Sequence, residues 1–443
     1  MKRLCSFICV LSLFVANVAV ADRIAIIGGG ASGLVSAWLL EKNHDVTLYE
    51  AEDRLGGHAN SIEIKVDGKP VIIEAGAEYF NEKFYPRFMK LLNHYQLRLK
   101  SYTLVTTFYR TDSSDKIILP PFHDGTVEWI SLSPANVFRS MQLQTVIDQG
   151  RKLIARRDTD TTLQTFADGL VITKDFKVNM FYPLLAGAWG VSPNDVVDFS
   201  AYNAIKYFIE GYDVTHYQWF EVEGGLKKYI EAVHQDLSKA QIKLNARVKQ
   251  ISKNNAGYSI VTENGETQEY DQIIFATNSY AASELLATMP ETSDLSALLA
   301  RIKYFDTKIA IHGDARFMPP SKSDWRVINV RYDGAHAAMT MYKDWKSSSP
   351  IFKTWLTYDV RSPNDKEGLL PANIYAMVNY KHPVPDKNYY DVQKEIKRLQ
   401  GQQHIWFAGV WAFDNDSHES AIASAEEVAK AIEPTAERLK VLQ

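Results

Sequence analysis

The sequence predicts an α/β fold: a Rossmann-type dinucleotide-binding domain interrupted by a substrate domain of mixed sheet and helices. Three observations carry this reading. An apolar run, Arg23–Ile27, leads into Gly28-Gly29-Gly30-Ala31-Ser32-Gly33 and an apolar helical stretch from Leu34 to Lys42. After the Asn43-His44 break, Asp45 to Glu50 reads as a second strand, closing a β-α-β unit. Further buried-strand runs recur far away, at Ile273-Ile274-Phe275-Ala276 and at Ile405–Gly409, so one sheet draws on the start, middle and end of the chain.

Residues 1–21 read as a secretory signal. Lys2 and Arg3 give a positive start, Leu4 to Val20 is mostly apolar, and Ala19-Val20-Ala21 is a small-x-small cleavage site. An uncleaved membrane anchor is the competing reading, which the short run and Ser12 and Asn17 weaken. Cleavage implies a periplasmic or secreted protein with no stable membrane insertion. Residues 22–100 then form the first part of the dinucleotide domain, in which Ser61–Val66 and Val71–Glu74 pair through an Asp67-Gly68 turn and a helix runs from Lys83 to His94. Residues 101–212 begin the substrate domain, helical from about 129. Residues 213–300 return to the dinucleotide domain, 301–400 form a strand-rich aromatic sheet, and 401–443 hold the closing strand and a terminal helix from Ser420 to Leu439.

The 443 residues hold 49 Lys and Arg against 53 Asp and Glu. Loss of Lys2 and Arg3 leaves 47 against 53, a net −6 without blocks of like charge, which argues against nucleic acid or an anionic membrane as partner. The expected partner is a small-molecule substrate. Both cysteines, Cys5 and Cys9, lie in the leader. The mature chain then has no disulfide, thiolate nucleophile or cysteine metal site. No His-Glu-x-x-His motif appears among the 11 histidines, and no metal is expected.

Gly28, Gly30 and Gly33 match G-x-G-x-x-G. The first permits the tight turn, the second lets a diphosphate reach the backbone, and the third lets helix and strand pack. The following helix starts at Ala31 and Ser32, where unpaired N–H groups and a partial positive charge suit an anion. Glu50, with Ala51 beside it, ends the second strand twenty residues after Gly30, where an acid binds ribose hydroxyls. Arg54-Leu55-Gly56-Gly57-His58 follows as a second glycine loop suited to the far side of the same diphosphate.

At this point the chain resembles the flavin-containing amine oxidoreductase family, which carries the glycine fingerprint, the acid and Arg-x-Gly-Gly. His58 departs from the family's commonest residue there, Arg. The resemblance implies noncovalent FAD, since no mature cysteine can form a cysteinyl bond. It also implies that Glu74-Ala75-Gly76-Ala77-Glu78-Tyr79-Phe80 passes the flavin ring, that Glu223-Gly224-Gly225-Leu226 opens a helix, and that Val248 faces adenine. Trp406-Phe407-Ala408-Gly409 with His418-Glu419-Ser420-Ala421 resembles the closing FAD signature, in which the last helix faces the ring. Ile311-His312-Gly313-Asp314, Met318-Pro319, Trp325 and Tyr380-Lys381-His382-Pro383 resemble a little-characterised bacterial branch of FAD-dependent proteins.

Two roles are open to Lys308. The resemblance implies a catalytic lysine that holds a water near flavin N5, a buried amine able to act as base or water anchor, and strand position alone allows a solvated lysine. His418 and Glu419 either contact flavin or cap the last helix, Glu419 by complementing that helix's amino terminus. Ser417 stands where the family's amine oxidases often carry Tyr, which weakens simple amine oxidation, and Trp411 and Phe413 are either site aromatics or core. The expected activity is FAD-dependent oxidation of an amine or an apolar, lipid-like molecule, with electrons passing to oxygen or another acceptor. An NAD-dependent oxidoreductase and a non-catalytic FAD-binding protein are the alternatives.

Overall fold

The computed structural model describes residues 21–212, 218–255, 257–356 and 370–443. The leader expected over residues 1–21 lies outside them except for Ala21.

Strand Arg23–Ile27 is buried at its last four positions, the pattern of a central parallel strand covered on both faces. It pairs in parallel with Asp45–Tyr49 and with Gln272–Phe275. Gln241–Lys243 and Ile405–Phe407 join the outer edges, also in parallel. The sheet therefore reads Gln241–Lys243, Asp45–Tyr49, Arg23–Ile27, Gln272–Phe275, Ile405–Phe407, and the strand order reverses at Arg23–Ile27.

Helix Ala31–Leu40 is buried at every position, packed between the sheet and the helices Lys227–Asp236 and His418–Ile432. Glu41 fixes its end. The Glu41 side chain is buried, accepts the N–H groups of Ser238, Lys239 and Ala240, and pairs with Arg438 at 3.0 Å. Burial opposes that charge, yet these donors hold its pKa down at about 2. Ser61–Val66 and Lys69–Glu74 form the expected hairpin. Asp67 (φ 51°) and Gly68 (φ 76°) are both left-handed, as the two-residue turn requires.

The second layer is a seven-stranded sheet ordered Ile374–Pro383, Tyr304–His312, Phe352–Leu356, Ala337–Tyr342, Ile328–Tyr332, Thr106–Arg110, Lys116–Leu119. Its pairings are antiparallel except that of Ile328–Tyr332 with Thr106–Arg110. Helix Tyr182–Trp189 lies against Ile328–Tyr332 and Ala337–Tyr342, so close that a Cβ on Gly187 would stand 3.0 Å from Val330 Cγ1.

Two helix ends differ from expectation. The first helix stops at Leu40, and the last long helix spans His418–Ile432, with Leu439–Leu442 separate. Ser417 begins that helix early because its Oγ accepts the Ser420 N–H at 3.1 Å. Leu99–Thr103, Thr106–Arg110, Lys116–Leu119 and Gln218–Val222 are strands additional to the sequence reading. Leu99–Thr103 pairs with Gln218–Val222, and Thr103 and Gln218 are 115 positions apart, so no local pattern announces the partner.

Candidate functional site

A cavity of about 1210 Å³ joins the two layers. One end is walled by residues at the carboxyl ends of the parallel strands, including Ile27, Glu50 and Ala276. The other is walled by Ile309, Ile328, Val330, Met339 and Trp355 from the seven-stranded sheet. A crevice at the carboxyl edge, where strand order reverses, is where open α/β sheets bind ligands.

At the parallel-sheet end the backbone lies bare. Gly28 has φ 110°, and a Cβ there would stand 2.6 Å from the Ala276 carbonyl oxygen. A Cβ on Gly33 would collide with the Gly28 carbonyl, so Gly33 serves helix–strand packing and does not line the cavity. Gly30 differs: its φ is −69°, and a Cβ would have no neighbour within 4 Å. The space it leaves belongs to the cavity. Helix Ala31–Leu40 has no side-chain cap, and Gly30, Ala31 and Ser32 line the wall. The second glycine loop presses against the first, with Gly56 N–H on the Gly29 carbonyl at 2.9 Å. Arg54 folds over it, donating to the Gly57 carbonyl at 3.0 Å. Glu50 accepts the N–H groups of Gly29 (2.7 Å) and Glu52 (2.8 Å), leaving lone pairs for hydroxyl donors. Ala51, Gly57 and Val248 line the same wall.

Farther in, Gly76, Ala77, Glu78 and Tyr79 line the cavity, held by a buried charge network that sequence reasoning missed. Lys353 donates to the Gly76 carbonyl (2.9 Å) and to Glu78 (2.7 Å). Lys343 bridges Glu78 (2.8 Å) and Glu221 (2.6 Å), and Lys346 adds a contact to Glu221 at 3.0 Å. Burial alone would raise the Glu78 pKa, but Lys343 and Lys353 hold it down at about 2. Burial also pulls Lys353 below its ordinary value, whereas Glu78, Tyr102 and Glu221 overcome burial and raise Lys343.

Gly409, His418 and Ala421 close the wall near the start of the last helix. His418 is hydrogen-bonded to Tyr229 Oη at 2.9 Å, and burial pushes its pKa down to about 4. Burial and Arg54 likewise push His58 down to about 4. The His58 ring packs on Tyr380 at 4.5 Å, and its buried Nε2 has no hydrogen-bond partner among the described residues. An orphaned ring nitrogen on a ligand-sized cavity fits a bound polar group.

Two sequence expectations are corrected. Lys308 does not line the cavity, whereas its neighbour Ile309 does. Lys308 stands opposite Leu356 and Asn379 in the ladder, and successive strand side chains point to opposite faces. Glu419 is also absent from the cavity wall. Its carboxylate accepts the N–H groups of Arg87 (3.1 Å) and Phe88 (3.0 Å) at the start of helix Pro86–His94, a neighbouring helix and not its own. Trp411 lines the cavity and donates to the Thr277 carbonyl at 2.8 Å, and Phe413 does not line it. Asp416, Trp189, Trp219 and Trp355, none singled out in the sequence, do line it. Only tertiary packing tells them from ordinary surface or core residues.

A crevice of bare glycine backbone at a strand-order reversal, opening into an apolar chamber, has the form of an enzyme's cofactor-binding site. The family described as flavin containing amine oxidoreductase matches residues 31–377. The chain belongs to that family and is a flavin-dependent oxidoreductase. Among curated proteins it is 26% identical to coproporphyrinogen III oxidase of Bacillus subtilis over 394 residues, covering 78% of each chain. Among solved structures it resembles a putrescine oxidase variant redesigned in its cofactor binding (TM-score 0.69, 15% identity, 93% of this chain and 98% of that one). It also resembles a CLA-producing fatty acid isomerase from P. acnes (TM-score 0.65, 15% identity, 93% and 99%). These structural likenesses concern the fold.

Proposed function

We propose that the chain binds FAD noncovalently and oxidises an apolar organic molecule, either a hydrocarbon-like substrate or an amine with an apolar body, and that it does so after export. The carrying observation is one continuous cavity with a glycine-lined anion end and an apolar end. Gly28, Gly30 and the start of helix Ala31–Leu40 receive the diphosphate, Glu50 the ribose, and the backbone at Val248 the adenine. His58, His418, Gly409, Ala421 and the Gly76–Tyr79 segment surround the ring. When bound, FAD supplies the hydride acceptor, and oxygen or another acceptor takes the electrons onward. The protein's part is to orient the substrate and exclude water. Leu184, Leu185, Phe208, Val330, Met339 and Trp355 do so at the chamber end.

Export rests on the leader sequence. Among the described residues no helix is long and apolar enough to cross a membrane. Mass analysis of the heat-released cofactor tests FAD against NAD, and release on denaturation tests noncovalent binding. Anaerobic bleaching with a panel of alkyl amines, a fatty acid and a porphyrinogen tests turnover, and a flavin that no compound bleaches would favour the non-catalytic reading. Glu50→Ala is expected to weaken FAD binding by roughly 10- to 100-fold, the worth of hydrogen bonds to a charged group. Fluorescence titration of apoprotein measures it, and unchanged affinity would remove Glu50 from the ribose site.

A further inference from the structure

Seven acidic residues line the cavity. Glu50 and Glu52 belong to the ribose loop, Glu78 is held by two lysines, and Asp306 pairs with Lys381. Glu263 and Glu284 share the wall with Arg247 and Lys249. Asp416 has no cation partner among the described residues. Its side chain receives the Asn203 amide at 3.3 Å, with a further hydrogen bond from Trp189. Its carbonyl receives the Tyr207 hydroxyl at 2.6 Å. Trp189 and Tyr207 meet edge to face at 5.2 Å and both line the chamber. On the other side Asp416 adjoins Ser417 and His418, which open the last helix. Asp416 is therefore at the junction of the apolar chamber and the ring-binding wall, where a reacting bond must lie.

Resting on the reading of the site as a flavin-dependent oxidase, we infer that Asp416 is the proton acceptor of the oxidation. Bound FAD would supply the acceptor for the hydride of a substrate C–H bond. The adjoining N–H or C–H bond breaks with its electron pair forming the new C=N or C=C bond, and its proton goes to the Asp416 carboxylate. The substrate thus loses one hydride and one proton, and oxygen or another acceptor would take the electrons onward.

The environment suits the task. Burial raises the Asp416 carboxyl to about 7, with Asn203 and Trp189 acting against the rise, which places a base near working pH. The ionisable groups around it are Tyr389 and Tyr390 of helix Lys387–Leu399, Tyr207 of helix Ala201–Tyr212, His418 and Asp414. Asp414 is already paired with Lys206 and Arg157. Burial pushes Tyr389 and Tyr390 well above their ordinary values and His418 down to about 4, so none of these three changes charge near neutrality.

The test compares wild type, Asp416→Asn and Asp416→Glu as flavin-loaded proteins. Without substrate, infrared titration should find a carboxyl ionising near pH 7 in wild type that is missing in Asp416→Asn. Its absence from wild type would overturn the inference. With whichever panel compound bleaches wild type, the anaerobic rate should rise with pH to a plateau above about 7. Asp416→Asn should be about 100-fold slower or worse with no such break, and Asp416→Glu should restore part of both. An unchanged rate and profile in Asp416→Asn would overturn the proton-acceptor role alone. Failure of every compound to bleach wild type would overturn the oxidase reading and this inference with it.

Discussion

Gly30→Leu is expected to yield soluble, folded protein that is colourless. The backbone there (φ −69°) accepts any L side chain, and a Cβ meets no atom within 4 Å, so the fold has no reason to object. The new side chain would fill the place assigned to the diphosphate. Overlap of this kind costs about 3 kcal/mol, the upper part of the usual range for overpacking, or about 100-fold in affinity. Gly28→Leu is the contrasting variant. Its φ of 110° and the Ala276 carbonyl at 2.6 Å make the change a folding defect. Visible absorbance measured beside circular dichroism separates the two. A yellow Gly30→Leu protein with full flavin content would refute the assignment of that loop.

The second large effect is expected at Lys343→Met. Lys343 joins Glu78 and Glu221, and all three side chains are at most 6% exposed. Removing the cation leaves two buried carboxylates short of a partner, a loss of about 3–5 kcal/mol, readable as a lower urea midpoint. Because the folded-state pKa of Glu78, about 2, lies below its ordinary 4.5, the stabilisation is complete above pH 4.5 and is lost as pH falls toward 2. The variant should lose much of this acid limb as well. Equal urea midpoints at pH 7 would show that the network carries little stability.

The dinucleotide half was legible because its requirements are local. A tight turn needs Gly28, a hairpin needs Asp67-Gly68, and a buried strand needs an apolar run such as Ile24–Ile27. The chamber was less legible. Lys308 and Lys353 both sit in apolar strands of similar look, and only register separates them. Lys353 stands opposite Ile311, Lys308 opposite Leu356, and the first reaches Gly76 and Glu78 while the second misses the cavity. Asp416 carries no motif at all. Its significance comes from Trp189, Tyr207 and Asn203, which the chain brings in from about 210 to 230 positions away.

Gly409, His418 and Ala421 complete the cavity wall late in the chain, and Ile405–Phe407 is one edge strand of the parallel sheet. A polypeptide still being synthesised at residue 400 holds the glycine loops but only a half-open trough. On the proposed reading cofactor capture comes after translation of nearly the whole chain, and a product terminated there would leave Gln272–Phe275, buried at all four positions in the full chain, as a bare sheet edge for quality-control proteases to find.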